Sequence, residues 1–201
     1  MSVPDVSIKP IIIGLTGGIA SGKSTALAHF KKLNIPVIDS DQIVKNLWQS
    51  NNDMIQKAES HFGFSIQTSE DRQKLSEIIF NDVNQREVLN KIVHPYVFKQ
   101  IEIEKKFLKS SPIIVIDMPL LYEVGYQKKC DYVLVVHVDL KTQLRRLMRR
   151  SHLTKKDALN RINAQMPLED KAKLADLVLD NNKTISNLKK QIDSFLGGLL
   201  T

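Results

Sequence analysis

Residues 17–24 read Gly17-Gly18-Ile19-Ala20-Ser21-Gly22-Lys23-Ser24, a complete G-x-x-x-x-G-K-[ST] phosphate loop, and no other segment restricts the fold as tightly. Such a loop works only between a strand and a helix. The preceding Ile11-Ile12-Ile13-Gly14-Leu15 is a continuous apolar run suited to a buried parallel strand, and Ala26, Leu27, Phe30 and Leu33 then recur at helical spacing. Gly17 and Gly22 are expected to allow backbone angles that side chains forbid, so that successive N–H groups turn toward phosphate oxygens. Helix initiation near Lys23 adds a positive dipole end, and the Lys23 ammonium can reach β- and γ-phosphates. Gly17, Gly18, Ile19, Ala20, Ser21, Gly22, Lys23, Ser24 and Thr25 therefore form the candidate ATP site, with the Ser24 hydroxyl a ligand for Mg²⁺. The competing reading, a glycine-rich turn that binds nothing, is disfavoured by the flanking strand and helix.

Five apolar runs read as strands: Ile11 to Leu15, Ile35 to Asp39, Ile113 to Asp117, Tyr132 to Val138, and Leu177 to Asp180. They lack the polar alternation of half-exposed strands and are separated by helical segments. The expected fold is α/β, a doubly wound five-stranded parallel sheet covered on both faces. The chain of 201 residues is expected to form a single domain over 1–201. Roughly seventy residues separate the second and third strands, far more than a normal crossover. They include helical stretches from Arg72 to Phe80, Asn84 to Val93 and Pro95 to Lys109, which predicts an inserted helical substrate lobe over about 45–110. A second helical segment, about 140–173, carries an arginine cluster and then Thr154-Lys155-Lys156-Asp157, an N-cap pattern; its composition is that of a lid closing over phosphates.

Composition narrows the partners. Apolar content of 42% and charged content of 25% are ordinary for a globular chain. The single cysteine, Cys130, excludes an intramolecular disulfide and suits a reducing, cytoplasmic compartment. An N-terminus with Asp5 and only one lysine before a five-residue apolar run does not read as a signal peptide, and no stretch approaches membrane-spanning length. Net charge is +7, yet the lysines are spread as pairs such as Lys31-Lys32 and Lys189-Lys190, the pattern of solvated helix faces rather than a nucleic-acid footprint. The exception is Arg145-Arg146-Leu147-Met148-Arg149-Arg150, suited to a polyphosphate. The expected partners are small molecules, without nucleic acid or membrane, for a monomer or weak homo-oligomer.

In doubly wound sheets ligands sit beyond the carboxyl ends of the strands, which directs attention to Asp39 and Asp117. Phosphoryl transfer needs a group that orients the attacking hydroxyl and takes its proton, and Asp41, on the turn Asp39-Ser40-Asp41, is the candidate base. Asp39 is a candidate for holding a Mg²⁺-bound water or fixing the acceptor. A plain helix N-cap is the alternative for either residue. Asp117, after Ile113-Ile114-Val115-Ile116, is placed to bind the metal through water. Arg146 and Arg150, one helical turn apart, can present guanidiniums to the transferring phosphoryl group or to the nucleotide; a solvated basic face is the alternative.

Together these residues carry a resemblance. The chain resembles the dephospho-CoA kinase family in Gly14-Leu15-Thr16-Gly17-Gly18-Ile19 with Ser21-Gly22-Lys23-Ser24-Thr25, in Val37-Ile38-Asp39-Ser40-Asp41 and in Asp71-Arg72. It does so also in Ile92-Val93-His94-Pro95, Asp117-Met118-Pro119-Leu120-Leu121, Gln143 with Arg146 and Arg150, Gln165, and Ala175-Asp176 followed by Asn181. The resemblance implies transfer of the ATP γ-phosphoryl group to the ribose 3′-hydroxyl of dephospho-CoA with Mg²⁺, in a fold of core, lobe and lid. It matches Asp41 to the family's base and puts Arg72 and His94 in the lobe that takes dephospho-CoA; the strand-end acids Asp39 and Asp117 are candidate substrate-binding residues beside them. Bland readings of Arg72 and His94 are a surface ion pair and a helix-starting His-Pro. The chain departs from the family pattern at Ala20, where glycine is usual, and at Glu70, Ser151 and Asn182. Ala20 falls on an x position that the minimal motif leaves unconstrained.

A nucleoside or nucleotide kinase would share the loop, the acidic turn and the arginines. A GTPase is disfavoured because Asn182-Lys183-Thr184-Ile185 lacks the final acid of a base-reading motif, and neither His-Arg-Asp nor Asp-Phe-Gly of protein kinases occurs. A regulator that binds ATP without transferring phosphate is opposed by the Asp39/Asp41 pair.

Overall fold

The computed structural model describes residues 9–199, so the reading of the N-terminal segment around Asp5 lies outside the described residues. The chain forms two compact units, one made of the chain through Ile38 and from Leu108 onward, the other of Asp39–Phe107.

In the first unit, strands β1 (Ile11–Gly17), β2 (Val37–Asp39), β3 (Ile113–Asp117), β4 (Tyr132–His137) and β5 (Leu177–Asp180) form one sheet in the order β2-β3-β1-β4-β5. β1 runs parallel to β3 and to β4, and β4 to β5, with Leu15 opposite Asp117 on one side and Leu134 on the other. Every residue of β3 is buried, as a strand covered on both faces requires. On one face Ile13, Leu15, Val115, Leu134, Val136 and Leu179 pack with Ala26 and Phe30 of helix α1 (Lys23–Lys32). The C-terminal helix Ile185–Leu199 adds Leu188, Ile192 and Leu196 to this layer. Each such buried side chain contributes roughly 1.5–3 kcal/mol. On the other face Gly14 lies under Leu121 and Cys130, where a methyl group would come within 2.6 and 2.8 Å of them.

Three strand ends differ from the expectation. β1 continues through Thr16 and Gly17, which pair with Val135 and Val136. β2 begins at Val37 rather than Ile35, because the Ile35 amide still bonds Phe30 O (3.1 Å) in the turn leaving α1, where Asn34 has φ 57. β4 stops at His137, one residue before Val138.

The second unit is helical: α2 (Ser40–Ser50), α3 (Asn52–Phe62), α4 (Ser69–Asn81) and α5 (Val83–Phe107). Local sequence sets its joints. Asn51 caps α3 by accepting from Met54 N (2.9 Å), Gly63 ends it at φ 74, and Thr68 and Asp71 form a reciprocal capping box on α4. The expected break between Asn84–Val93 and Pro95–Lys109 is absent, since α5 runs unbroken with Pro95 inside it. Proline removes one backbone bond, but Leu89, Val93, Val97 and Ile101 continue a buried stripe at four-residue spacing across it, against α2, α3 and α4. His94-Pro95 is therefore not a helix start.

After β4 the first unit adds α6 (Leu140–Ser151), α7 (Lys155–Asn163) and α8 (Leu168–Lys173). Asp139 caps α6, accepting from Thr142 N and Oγ1, and Thr154 caps α7 as its sequence pattern indicates. Among the described residues no helix is long and apolar enough to cross a membrane.

Candidate active site

The phosphate loop joins β1 to α1 at the carboxyl end of the central strand. Its residues turn tightly: Ser21 N–H donates to Gly18 O (3.1 Å) and Thr25 N–H to Gly22 O (2.9 Å). Gly22 adopts φ 97 at the N-cap of α1 and offers no side-chain cap. Among the described residues the amides of Gly22, Lys23 and Ser24 make no hydrogen bond, which leaves the positive end of α1 open to an anion. Gly17 is needed for a different reason than expected. It lies within strand β1, and a Cβ there would approach Ser21 Oγ to 2.6 Å and Val136 O to 2.9 Å, so room rather than backbone angle excludes a side chain. The second left-handed residue is Ala20, at φ 60, so this position is constrained after all.

Four side chains from later in the chain grip the loop backbone. Gln143, buried on α6 beside Leu147, donates Nε2–H to Ile19 O (2.9 Å), while Gln165 Oε1 accepts from Ile19 N (3.2 Å). Buried Asn181, just after β5, donates Nδ2–H to Ser21 O (2.8 Å). Arg146 donates to Asn181 O (3.0 Å) and reaches Ser21 O at 3.5 Å. Tying the carbonyls of Ile19 and Ser21 to side chains keeps them from competing with the amides for the loop's interior. Gln143, Gln165 and Asn181 had no assigned role in the sequence. The one local hint was an amide side chain on the apolar stripe of α6.

Lys23, with 17% of its side chain exposed, pairs with Asp117, 9% exposed, at the end of β3. Mostly buried opposite charges hold each other in place, and an incoming triphosphate would compete with the carboxylate for the ammonium. The Ser24 hydroxyl is on the exposed side of the first turn of α1. Ser24 and Asp117 supply only oxygen donors, the kind Mg²⁺ prefers.

Thus the structure brings Gly17 through Thr25, Asp117 and Arg146 together in one unit, with Arg150 one turn further along α6 and exposed. Asp39, Asp41, Arg72 and His94 belong to the other unit. Asp39 takes its N-cap role, accepting from Gln42 N (2.9 Å), and Asp41 sits in the first turn of α2. Arg72 is not a surface ion pair. It donates to Trp48 O (2.9 Å) and Gln67 O (3.2 Å) and lines a polar pocket of about 380 Å³ with Trp48, Asn52, Gln56 and Glu59. His94 stacks on Phe98, 5.9 Å between ring centres, and burial holds its pKa below the ordinary histidine value, favouring the neutral ring.

The chain is similar to known proteins over most of its length. The family model described as CoaE, dephospho-CoA kinase, matches residues 11–187. Dephospho-CoA kinase of Carboxydothermus hydrogenoformans is 44% identical over 190 residues, 92% of both chains. The Arabidopsis thaliana enzyme of the same name is 41% identical over 190 residues, 92% of this chain and 82% of its own. Among solved structures, TT1252 from Thermus thermophilus superposes with TM-score 0.80 at 31% identity over 95% of this chain and 98% of that one. Dephospho-CoA kinase from Campylobacter jejuni does so with TM-score 0.68 at 25% identity over 94% and 96%.

Proposed function

The chain belongs to the dephospho-CoA kinase family, and from that membership we propose that it transfers the γ-phosphoryl group of ATP to the ribose 3′-hydroxyl of dephospho-CoA, giving CoA and ADP. The observation that carries this reading is the loop between β1 and α1, with open amides at Gly22, Lys23 and Ser24 and the Lys23 ammonium beside them. That is a site for a polyphosphate.

The residues divide the work as follows. Gly17 to Thr25 hold the ATP phosphates, and Lys23 exchanges Asp117 for the β- and γ-oxygens. Arg146 and Arg150 neutralise charge that builds on the transferring group. Asp41 orients the ribose hydroxyl and takes its proton as the new O–P bond forms and the bond from Pγ to the β-bridging oxygen breaks. What supports Asp41 over Asp39 is the match of Val37-Ile38-Asp39-Ser40-Asp41 to the family pattern, together with the capping bond that engages the Asp39 carboxylate. Asp39 then serves to fix the acceptor through the α2 start. Arg72 and His94 hold dephospho-CoA, Arg72 through the polar pocket it lines and His94 through a ring that burial favours in its neutral form. Ser24 and, through water, Asp117 would hold Mg²⁺, which supplies charge neutralisation at the β- and γ-phosphates. The 140–173 segment closes as a lid and 45–110 serves as the acceptor lobe. A single reduced cysteine and dispersed lysines suit a cytoplasmic enzyme that works as a monomer or weak homo-oligomer on small molecules.

A coupled ADP-release assay with Mg·ATP and dephospho-CoA, adenosine, AMP, CMP or shikimate tests the assignment. Release with dephospho-CoA alone, and CoA as product, is the expected result. Release with another acceptor instead assigns a sibling kinase activity.

A further inference from the structure

Lys171, in the short helix α8, is fully buried, a state lysine rarely tolerates. Its ammonium has two partners, the carbonyl of Pro119 (2.8 Å) and Glu123 Oε1 (2.8 Å). Both lie in the segment that follows β3, immediately after Asp117. Removing an ammonium from water costs several kcal/mol, which a pair of this kind offsets only with good geometry, and an apolar side chain of the same volume would fill the space without that cost. The charge is therefore retained for something other than packing.

What it holds is informative. Pro119 O is shared: it also accepts from Thr16 Oγ1 (2.9 Å), and Thr16 is wholly buried in β1, one residue before the phosphate loop. The Met118 amide donates to Leu15 O (3.1 Å), so the post-β3 segment is stitched to β1 at two successive residues. Glu123, besides meeting Lys171, accepts from Met166 N (3.1 Å), the neighbour of the Gln165 that bonds Ile19 N (3.2 Å). Lys171 thus sits where three parts of the chain meet: β1 with its loop, the residues after Asp117, and the 164–173 stretch, whose Gln165 bonds Ile19.

We infer that Lys171, through Pro119 and Glu123, is a positioning residue that sets the Asp117 carboxylate against Lys23 and the Gln165 amide against the phosphate loop. It touches no substrate. Its effect is to give α8 one register relative to the loop, so that the nucleotide phosphates meet a preformed geometry; removing it lets Asp117 and Ile19 drift, which lowers turnover without removing the dephospho-CoA contacts.

This rests on the kinase reading, and the test separates the two. Steady-state CoA formation is measured for the wild-type chain, Lys171→Met and Glu123→Gln, well below each protein's melting temperature. For Lys171→Met a fall in kcat of about 100-fold is expected, the size that a displacement of about 1 Å produces, with KM for dephospho-CoA little changed. Glu123→Gln, which keeps an acceptor for Met166 N–H, should lose less in the same direction, and the double variant should be no worse than Lys171→Met because both act through one network. Folded Lys171→Met with wild-type kcat and only a lower melting temperature overturns the inference. If Lys171→Met does not fold, Glu123→Gln decides alone, a normal kcat overturning the inference and a reduced kcat at unchanged KM upholding it. A wild-type chain that makes no CoA sinks the kinase reading and this one with it; active wild type with unaffected variants sinks only this one.

Discussion

Ala20→Gly should make the protein more stable without changing what it binds. Ala20 has φ 60, and its neighbours leave it no freedom to relax: Ile19 is held at both its amide and its carbonyl, and Ser21 at its amide by Gly18 O and at its carbonyl by Asn181. An L-residue in the left-handed region costs about 1–2 kcal/mol, because Cβ crowds the following carbonyl. Glycine removes that term and gives back about 0.5–1 kcal/mol through the greater freedom of the unfolded chain. The difference is a gain of roughly 0.5–1 kcal/mol, which for a chain of this size raises the melting temperature by about 1–4 °C. Thermal unfolding of the two proteins side by side reads this directly, and KM for ATP should stay within about twofold because the loop geometry is unchanged. Ala20→Val, with a branched side chain at the same angles, should move the melting temperature down. Glycine that leaves the melting temperature unchanged or lower, or valine tolerated without loss, refutes the argument that the loop is strained at this residue.

The remaining predictions concern chemistry and pH. Lys23→Ala should lower kcat by about 100- to 1000-fold by removing charge stabilisation at the transferring group, a steady-state measurement in which near-normal turnover would exclude that role. Asp41→Asn should lower kcat by about 100-fold or more while ATP affinity, read by calorimetry, stays close to wild type; normal turnover would reject Asp41 as the base. Tyr122 is half-buried, but its hydroxyl oxygen is shut away from solvent without a hydrogen-bond partner, and desolvation, with the Asp176 charge and then Cys130 adding to it, pushes its pKa from 10.0 up to about 12. Below 10.0 both folded and unfolded chains keep the hydroxyl neutral; from there to about 12 only the unfolded chain ionises, so stability falls across that window. Tyr122→Phe should flatten this alkaline loss in urea unfolding and leave stability at neutral pH equal or higher, since it deletes an unsatisfied polar group. A clear loss at neutral pH would show that the hydroxyl has a partner.

Much of this was legible in the sequence because the signals are local. The strand–loop–helix unit around Lys23, the apolar runs of the five strands, and the caps at Thr154 and Asp39 each depend on residues within a few positions of one another, so spacing reveals them. The same reasoning failed where packing overrode a local rule. Pro95 reads as a boundary, yet the buried stripe from Leu89 to Ile101 carries α5 through it; Ala20 reads as an unconstrained position, yet tethers on both sides hold it left-handed. Nothing in Leu168-Glu169-Asp170-Lys171 distinguishes Lys171 from its charged neighbours, one of which, Lys173, is solvent-exposed.

By itself the sequence determined the phosphate-binding loop and the sheet, since a contiguous phosphate loop between an apolar strand and a helical segment, and near-continuous apolar strand runs, are written in neighbouring residues. Only the tertiary structure decided how the loop is held. Gln143, Gln165 and Asn181 reach Ile19 and Ser21 across more than a hundred residues of chain, and Lys171 reaches Pro119 from another helix. Such contacts are fixed by how helices settle on the sheet, and residue spacing along the chain carries no record of that packing.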